Sequence, residues 1–149
     1  MKAMSYLITL PLPKGWSNES EILTEEGQEI THMQAFLPDE KTQSDKALVD
    51  IYVGPMPEGS NAEQEAYNSY IDIVGEDEED DEDPLYVWDF QGKEAIGYEV
   101  LCEDNSPMRM MSIEILPGVL CIIMAACRND SLLTNAVIHL EKNLKISAE

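Results

Sequence analysis

The sequence predicts an α+β fold in a single domain over residues 1–149: a central antiparallel sheet of about six to seven strands with helices packed on its faces, an α/β/α sandwich. Three observations predict it. Between Leu85 and Cys127, four apolar segments are separated by the turn signals Gln91-Gly92-Lys93, Glu103-Asp104-Asn105-Ser106-Pro107 and Pro117-Gly118, the pattern of an antiparallel meander. The last of these segments is apolar at every position from Val119 to Ala125, so it requires cover on both faces and belongs in the middle of a sheet. Two stretches with helical spacing, one on each side of the meander, supply one helix for each face.

Taken in order, Ser5 to Leu10 alternates, with Tyr6, Ile8 and Leu10 on one side, and reads as a first strand ended by Pro11 and Pro13. Pro13-Lys14-Gly15-Trp16 is a turn carrying an aromatic. Residues 17–29 are polar and acidic and read as a loop with a short strand at Ile22-Leu23. Ile30 to Leu37 and Ala47 to Val53 are strands around a polar hairpin loop, Pro38 to Lys46. Ser60-Asn61-Ala62-Glu63 has the spacing of a capping box. Ala66, Tyr67, Tyr70, Ile71 and Val74 then form an apolar helical stripe, and Gly75 suits the C-cap.

Within the meander, alternation places Tyr86, Trp88 and Phe90 on one side of the first strand. Ile96, Tyr98, Val100 and Cys102 share a side of the second, and Met111, Ile113 and Ile115 share a side of the third. Gly97 sits inside a strand, where it signals a bulge or the close approach of another backbone. Pro117-Gly118 suits a tight turn, the proline fixing φ and the glycine taking a positive φ. Asp130 or Ser131 caps a last helix bearing Leu133, Ala136, Val137, Leu140 and Leu144 on one face, and Lys142 and Lys145 near its end complement the helix dipole.

Charge narrows the function. Thirty acidic residues face nine basic ones, for a formal net charge of −21. Eight of the acids form one run, Glu76-Asp77-Glu78-Glu79-Asp80-Asp81-Glu82-Asp83, but the chain stays strongly acidic without it. Such a surface repels nucleic acid and anionic membranes and favours basic partners. The N-terminal apolar patch is broken by Pro11, Pro13 and Lys14 before it reaches the length of a signal segment, and no stretch approaches a membrane span. A cytoplasmic location and no membrane insertion are expected. Cys102, Cys121 and Cys127 sit among apolar neighbours in expected strands and read as buried thiols in a reducing compartment.

With these elements placed, the chain resembles the PsbP/DcrB-like superfamily. The resemblance rests on a first strand leading into Pro13-x-Gly15-Trp16, a middle helix, the hairpin WDFQGKEAIGYEV, a strand pair joined by PGVL and a final helix ending in NLKI. It implies an α/β/α sandwich and a non-enzymatic interaction module. Members of that superfamily include an extrinsic photosystem II subunit, a Ran-binding import factor and chaperones of secretion-system effectors, and what they share is binding. The resemblance carries over no functional residue, and the acidic run has no counterpart in it.

The motifs of chemistry are absent from the sequence: no G-x-S-x-G, no P-loop, no G-x-G-x-x-G, no HExxH and no Cys/His zinc spacing. No cofactor is expected. The acidic run lacks the order of an EF-hand loop and has no internal glycine, so it reads as a solvated loop, with docking of a basic partner as its functional reading. Tyr86 and Trp88 join it as candidate partner-binding residues, against the alternative that the aromatic row is core. Met108, Met110, Met111 and Met124 form a methionine-rich set that suits either a core or an adaptable apolar surface.

The leading expectation is a protein-binding module, a chaperone or adaptor for a secreted or assembled partner that offers a basic or apolar segment. One alternative is a thiol-dependent hydrolase-like enzyme pairing a cysteine with His32 or His139. Another is calcium-responsive assembly through the acidic run.

Overall fold

The computed structural model of the chain describes residues 6–25, 28–38, 45–75, 85–102 and 105–148. The elements are β1 (Tyr6–Thr9), β2 (Ser17–Glu25), β3 (Gln28–Pro38), β4 (Asp45–Pro55), α1 (Ala62–Val74), β5 (Tyr86–Phe90), β6 (Lys93–Leu101), β7 (Pro107–Leu116), β8 (Val119–Cys127), α2 (Asp130–Asn143) and β9 (Lys145–Ala148). Seven strands form one antiparallel sheet in the order β2-β3-β4-β8-β7-β6-β5. The doubly apolar β8 is its central strand, as its composition requires.

Three elements depart from the sequence reading. The segment 17–25 is a full nine-residue edge strand paired residue for residue with β3, rather than a loop with a short strand. As an edge strand with exposed polar side chains it shows no apolar alternation, and charge on an edge deters pairing with other chains. The first strand is not in the main sheet: β1 pairs with β9, which follows α2 where a helix tail was expected, and β1 lies against β3, with Thr31 Oγ1 donating to the Tyr6 carbonyl at 3.0 Å. The helix caps each shift. Asn61, not Ser60, caps α1 by accepting from Gln64 N at 2.8 Å, and Asn129 caps α2 by accepting from Leu132 N at 2.9 Å. Gly75 is the C-cap of α1 as expected.

Alternation gives the sheet two faces. On one, Ala35, Val49, Ile51, Met111, Ile113, Cys121, Ile123 and Ala125 stand beneath Leu133, Ala136, Leu140 and Leu144 of α2 and beside Tyr6 and Leu10, forming the main core. On the other, Tyr98, Met108 and Met110 pack against Ala66 and Tyr70 of α1, with Tyr70 edge-on to Tyr98 at 5.4 Å and Ser69 hydrogen-bonded to the Tyr98 hydroxyl at 2.8 Å. The helices thus lie on opposite faces. No helix among the described residues is long and apolar enough to cross a membrane.

One turn locks this arrangement. The β5–β6 hairpin closes through Gln91 and Gly92, both at positive φ (54° and 81°), the geometry of a type I′ turn. The turn also reaches α2: Gln91 Nε2 donates to the carbonyls of Glu141 and Leu144 at 2.9 and 2.8 Å, capping the helix end from outside. Replacing Gln91 with Asn, which tolerates the positive φ but is one methylene shorter, is expected to cost about 1 kcal/mol, read as a lowered urea midpoint.

Gly97 is the close-approach site expected of it. A Cβ there would collide with the Met110 backbone, its carbonyl carbon lying only 2.7 Å away. Opposite Gly97 and Ala95 stand the two aromatics Tyr86 and Trp88, whose bulk covers the space that the small residues leave.

Candidate functional site

Helix α1 packs on β6 and β7, so it covers one half of its face. Over the other half, β2–β3–β4 with the adjoining side of β8, neither helix among the described residues has its main packing, although Ile122, Met124 and Ala126 of β8 border the cluster that α1 covers. The register places on this open half Leu23 and Glu21 of β2, Ile30, His32 and Phe36 of β3, Leu48, Asp50 and Tyr52 of β4, and Ile122 and Met124 of β8. The apolar members are half-buried: each is walled by its neighbours on the sheet, while its tip stays open.

Where the open half meets the start of α1, a groove of about 1000 Å3 runs between them. Its floor is Leu23, Ile30, Tyr52, Leu120 and Ile122, and its rim carries Glu58 and Glu65. Glu65 is held in place by Ser60, whose hydroxyl donates to it at 2.8 Å. An apolar floor with an acidic rim suits an apolar segment flanked by basic residues.

The polar centre of the open half is His32. Its Nε2 lies 2.8 Å from Asp50 Oδ1 on β4 and its Nδ1 lies 3.1 Å from Glu21 Oε1 on β2, so the ring ties three strands together. The ring stacks on Tyr52 with centroids 4.3 Å apart and planes 5° from parallel, and Gln34 Nε2 also donates to Asp50. Burial opposes charging the ring, but the hydrogen bonds to Asp50 and Glu21 outweigh it and raise the pKa above the ordinary 6.5. Burial and the same two carboxylates push the Tyr52 phenol up as well.

In the protonated form both nitrogens donate to carboxylates, and His32 then has no lone pair for a metal or for general-base work. What the arrangement does is fasten the edge strand under the open face. Because the folded ring binds its proton more tightly than the unfolded one, its stabilisation is complete below about pH 6.5 and is lost as pH rises through the raised folded value. The melting temperature is therefore expected to fall as pH rises above about 6.5, and His32→Gln is expected to flatten that slope, both read by thermal denaturation.

Of the residues expected to bind a partner, Tyr86 and Trp88 fall elsewhere. The acidic run Glu76–Asp83 lies outside the described residues. Tyr86 and Trp88 are on the opposite face of the sheet, at its other edge, stacked at 5.8 Å. There the Arg109 guanidinium sits 4.3 Å over the Trp88 ring and its Nη2 donates to Glu99 at 2.9 Å. Trp88 is thus held in a packed cluster, while Tyr86 is 59% exposed beside the equally exposed Val87. Phe90 is core.

Two of the three thiols, Cys121 and Cys127, lack activation. Cys121 is fully buried, which pushes its pKa up to about 12, and burial raises Cys127 to about 11, the reverse of what a nucleophile needs. Cys102 is half-buried after the end of β6. His139 accepts at Nδ1 from the Asn143 side chain and donates from Nε2 to the Pro11 carbonyl, so its ring too is occupied. Among the described residues no group of three or more His, Cys, Asp or Glu side chains is arranged to hold a metal ion.

The open half-sheet was not named in the sequence reading. Its members come from four strands that meet only through register, and His32, Asp50 and Tyr52 look individually like ordinary alternating positions. No family model, no curated protein and no solved structure matches the chain.

Proposed function

We propose that the protein is a non-enzymatic binding module, a chaperone or adaptor that holds an apolar segment of another protein flanked by Lys or Arg. The observation that carries this reading is the half-buried apolar half-sheet of β2, β3, β4 and the near side of β8, beyond the main packing of α1 and continuous with an acid-rimmed groove. Its chemistry fits an amphipathic helix laid on a surface, the apolar stripe on Phe36, Leu48, Tyr52 and Ile122 and the basic flank against Glu58 and Glu65. The net charge of −21 supports a basic partner over a second copy of the same acidic chain. The resemblance to the PsbP/DcrB-like superfamily, drawn from the P-x-G-W turn and the hairpin motifs, points to binding as well.

The reading is tested with a fluorescent amphipathic peptide of leucine and lysine, about 18 residues long so that it spans roughly five turns. A leucine–glutamate peptide with the same apolar pattern is the control. Saturable binding of the first, at least about tenfold tighter than the second, is expected from a face that combines apolar contact with acidic complementarity. Equal binding of both peptides, or of neither, counts against it.

A further inference from the structure

We infer that the opposite face of the protein carries a second, separate site, a pocket for a small uncharged apolar molecule between α2 and the sheet. The site is a cavity of about 220 Å3 under the segment that joins β1 to β2. Over most of its length α2 fills the space above the sheet with Leu133, Leu140 and Leu144. At this point it presents Ala136, which faces Ala35 and Val49, so three small side chains leave a gap.

Leu12 and Trp16 roof the gap. Their segment cannot collapse into it: Pro11 and Pro13 stiffen the chain, and His139 of α2 is hydrogen-bonded to the Pro11 carbonyl and holds the roof off the floor. The cavity is therefore built into the framework, whereas a well-packed core closes voids of this size.

The lining specifies the ligand. Among the described residues no Asp, Glu, Lys or Arg borders the cavity. The His139 ring is committed at both nitrogens, and Asn135 at the mouth is the remaining side-chain group able to meet a polar end. Nothing in the lining compensates a charge drawn inside, so the interior favours an uncharged molecule over a carboxylate or an amine. An apolar cavity of about 150 Å3 takes a benzene ring. This one is larger by about half, which suits a single ring with a short substituent or an alkyl chain of roughly eight heavy atoms, its uncharged polar end at Asn135.

The test uses the whole chain with labelled methyl groups, titrated with p-cresol, 1-hexanol and hexanoate. Expected are saturable millimolar shifts of the Leu10, Leu132 and Leu140 methyls with p-cresol and 1-hexanol, and none with hexanoate. Ala136→Leu fills the gap and is expected to weaken that binding by about tenfold or more while keeping or raising the melting temperature. Ala136→Met, with an adaptable side chain, serves the same purpose if the leucine overpacks. Absence of saturable shifts with either uncharged probe overturns the proposal, as does unchanged binding in the filled variants or equal binding of hexanoate. The docking face lies on the other side of the sheet, so neither result bears on the peptide measurements.

Discussion

Leu48→Asp is expected to abolish most peptide binding while leaving the fold intact. Leu48 stands between Phe36 on β3 and Ala126 on β8, in the middle of the open half-sheet. It is half-buried and its tip is open, so a carboxylate there remains hydrated in the free protein. Once a partner helix lies across it, that carboxylate must lose water against an apolar stripe. A central contact of this kind is worth about 2 kcal/mol or more, roughly a thirtyfold loss of affinity. The urea midpoint is expected to fall by the equivalent of about 1–2 kcal/mol, since the half-buried Leu48 loses apolar contact with its strand neighbours while the rest of the core is untouched. Tyr86→Asp, on the far edge and the opposite face, is expected to leave peptide affinity unchanged. If the two variants exchange effects, the binding surface is the aromatic corner and not the open half-sheet.

The largest loss of stability is expected from Gly97→Ala. The added methyl has no room: it runs into the backbone of Met110, and a backbone cannot move aside as the end of a flexible side chain can. Either β6 separates from β7 or the two strands shift together, and Tyr98, Met110 and Met111, all nearly fully buried, shift with them. Overpacking of this kind costs about 3 kcal/mol or more, which lowers the melting temperature by about 10 °C for a domain of this size. Gly118→Ala gives the comparison. Gly118 has φ +73° with nothing within 4 Å of the added carbon, so only conformational strain is introduced, about 1 kcal/mol. A Gly97→Ala variant as stable as Gly118→Ala would mean that the strands separate at little cost.

The sequence disclosed the parts of this fold that depend on local pattern. The unbroken apolar run of β8 required a central strand, and the spacing of Leu133, Ala136 and Leu140 gave the buried face of α2, while Leu144, read as part of that face, is its extended C-cap. The glycine turns and the special role of Gly97 were legible because each residue has a backbone reason to be there. What depends on long-range pairing was not legible. Strand β2 buries little and is held by its ladder to β3, so its polar sequence resembles a loop. Strand β9 is four residues long and exists because β1 is beside it. The caps moved by one or two residues because asparagine competes with serine and aspartate for the same role.

The candidate site was hidden for a related reason. Each helix was expected to cover a face, and each does lie on its own face, but the sequence does not say how far along the sheet a helix reaches. The open half is defined by where α1 is not. The His32 cluster needs three strands in register before Glu21, His32 and Asp50 become neighbours, although they are 11 and 18 residues apart in the chain. Tyr86 and Trp88 drew attention because aromatics are conspicuous in a sequence, and the structure accounts for them by their small partners Gly97 and Ala95 across the hairpin.

The most direct test of the docking surface is a nuclear magnetic resonance titration of the labelled chain with the leucine–lysine peptide, mapped residue by residue. The account predicts that shifts concentrate on Phe36, Leu48, Tyr52, Ile122 and Met124 and extend to Glu58 and Glu65 at the groove rim, with little change at Tyr86, Trp88 or the α2 face. Shifts centred on Tyr86 and Val87, or confined to the acidic run Glu76–Asp83 while the half-sheet stays silent, would contradict it.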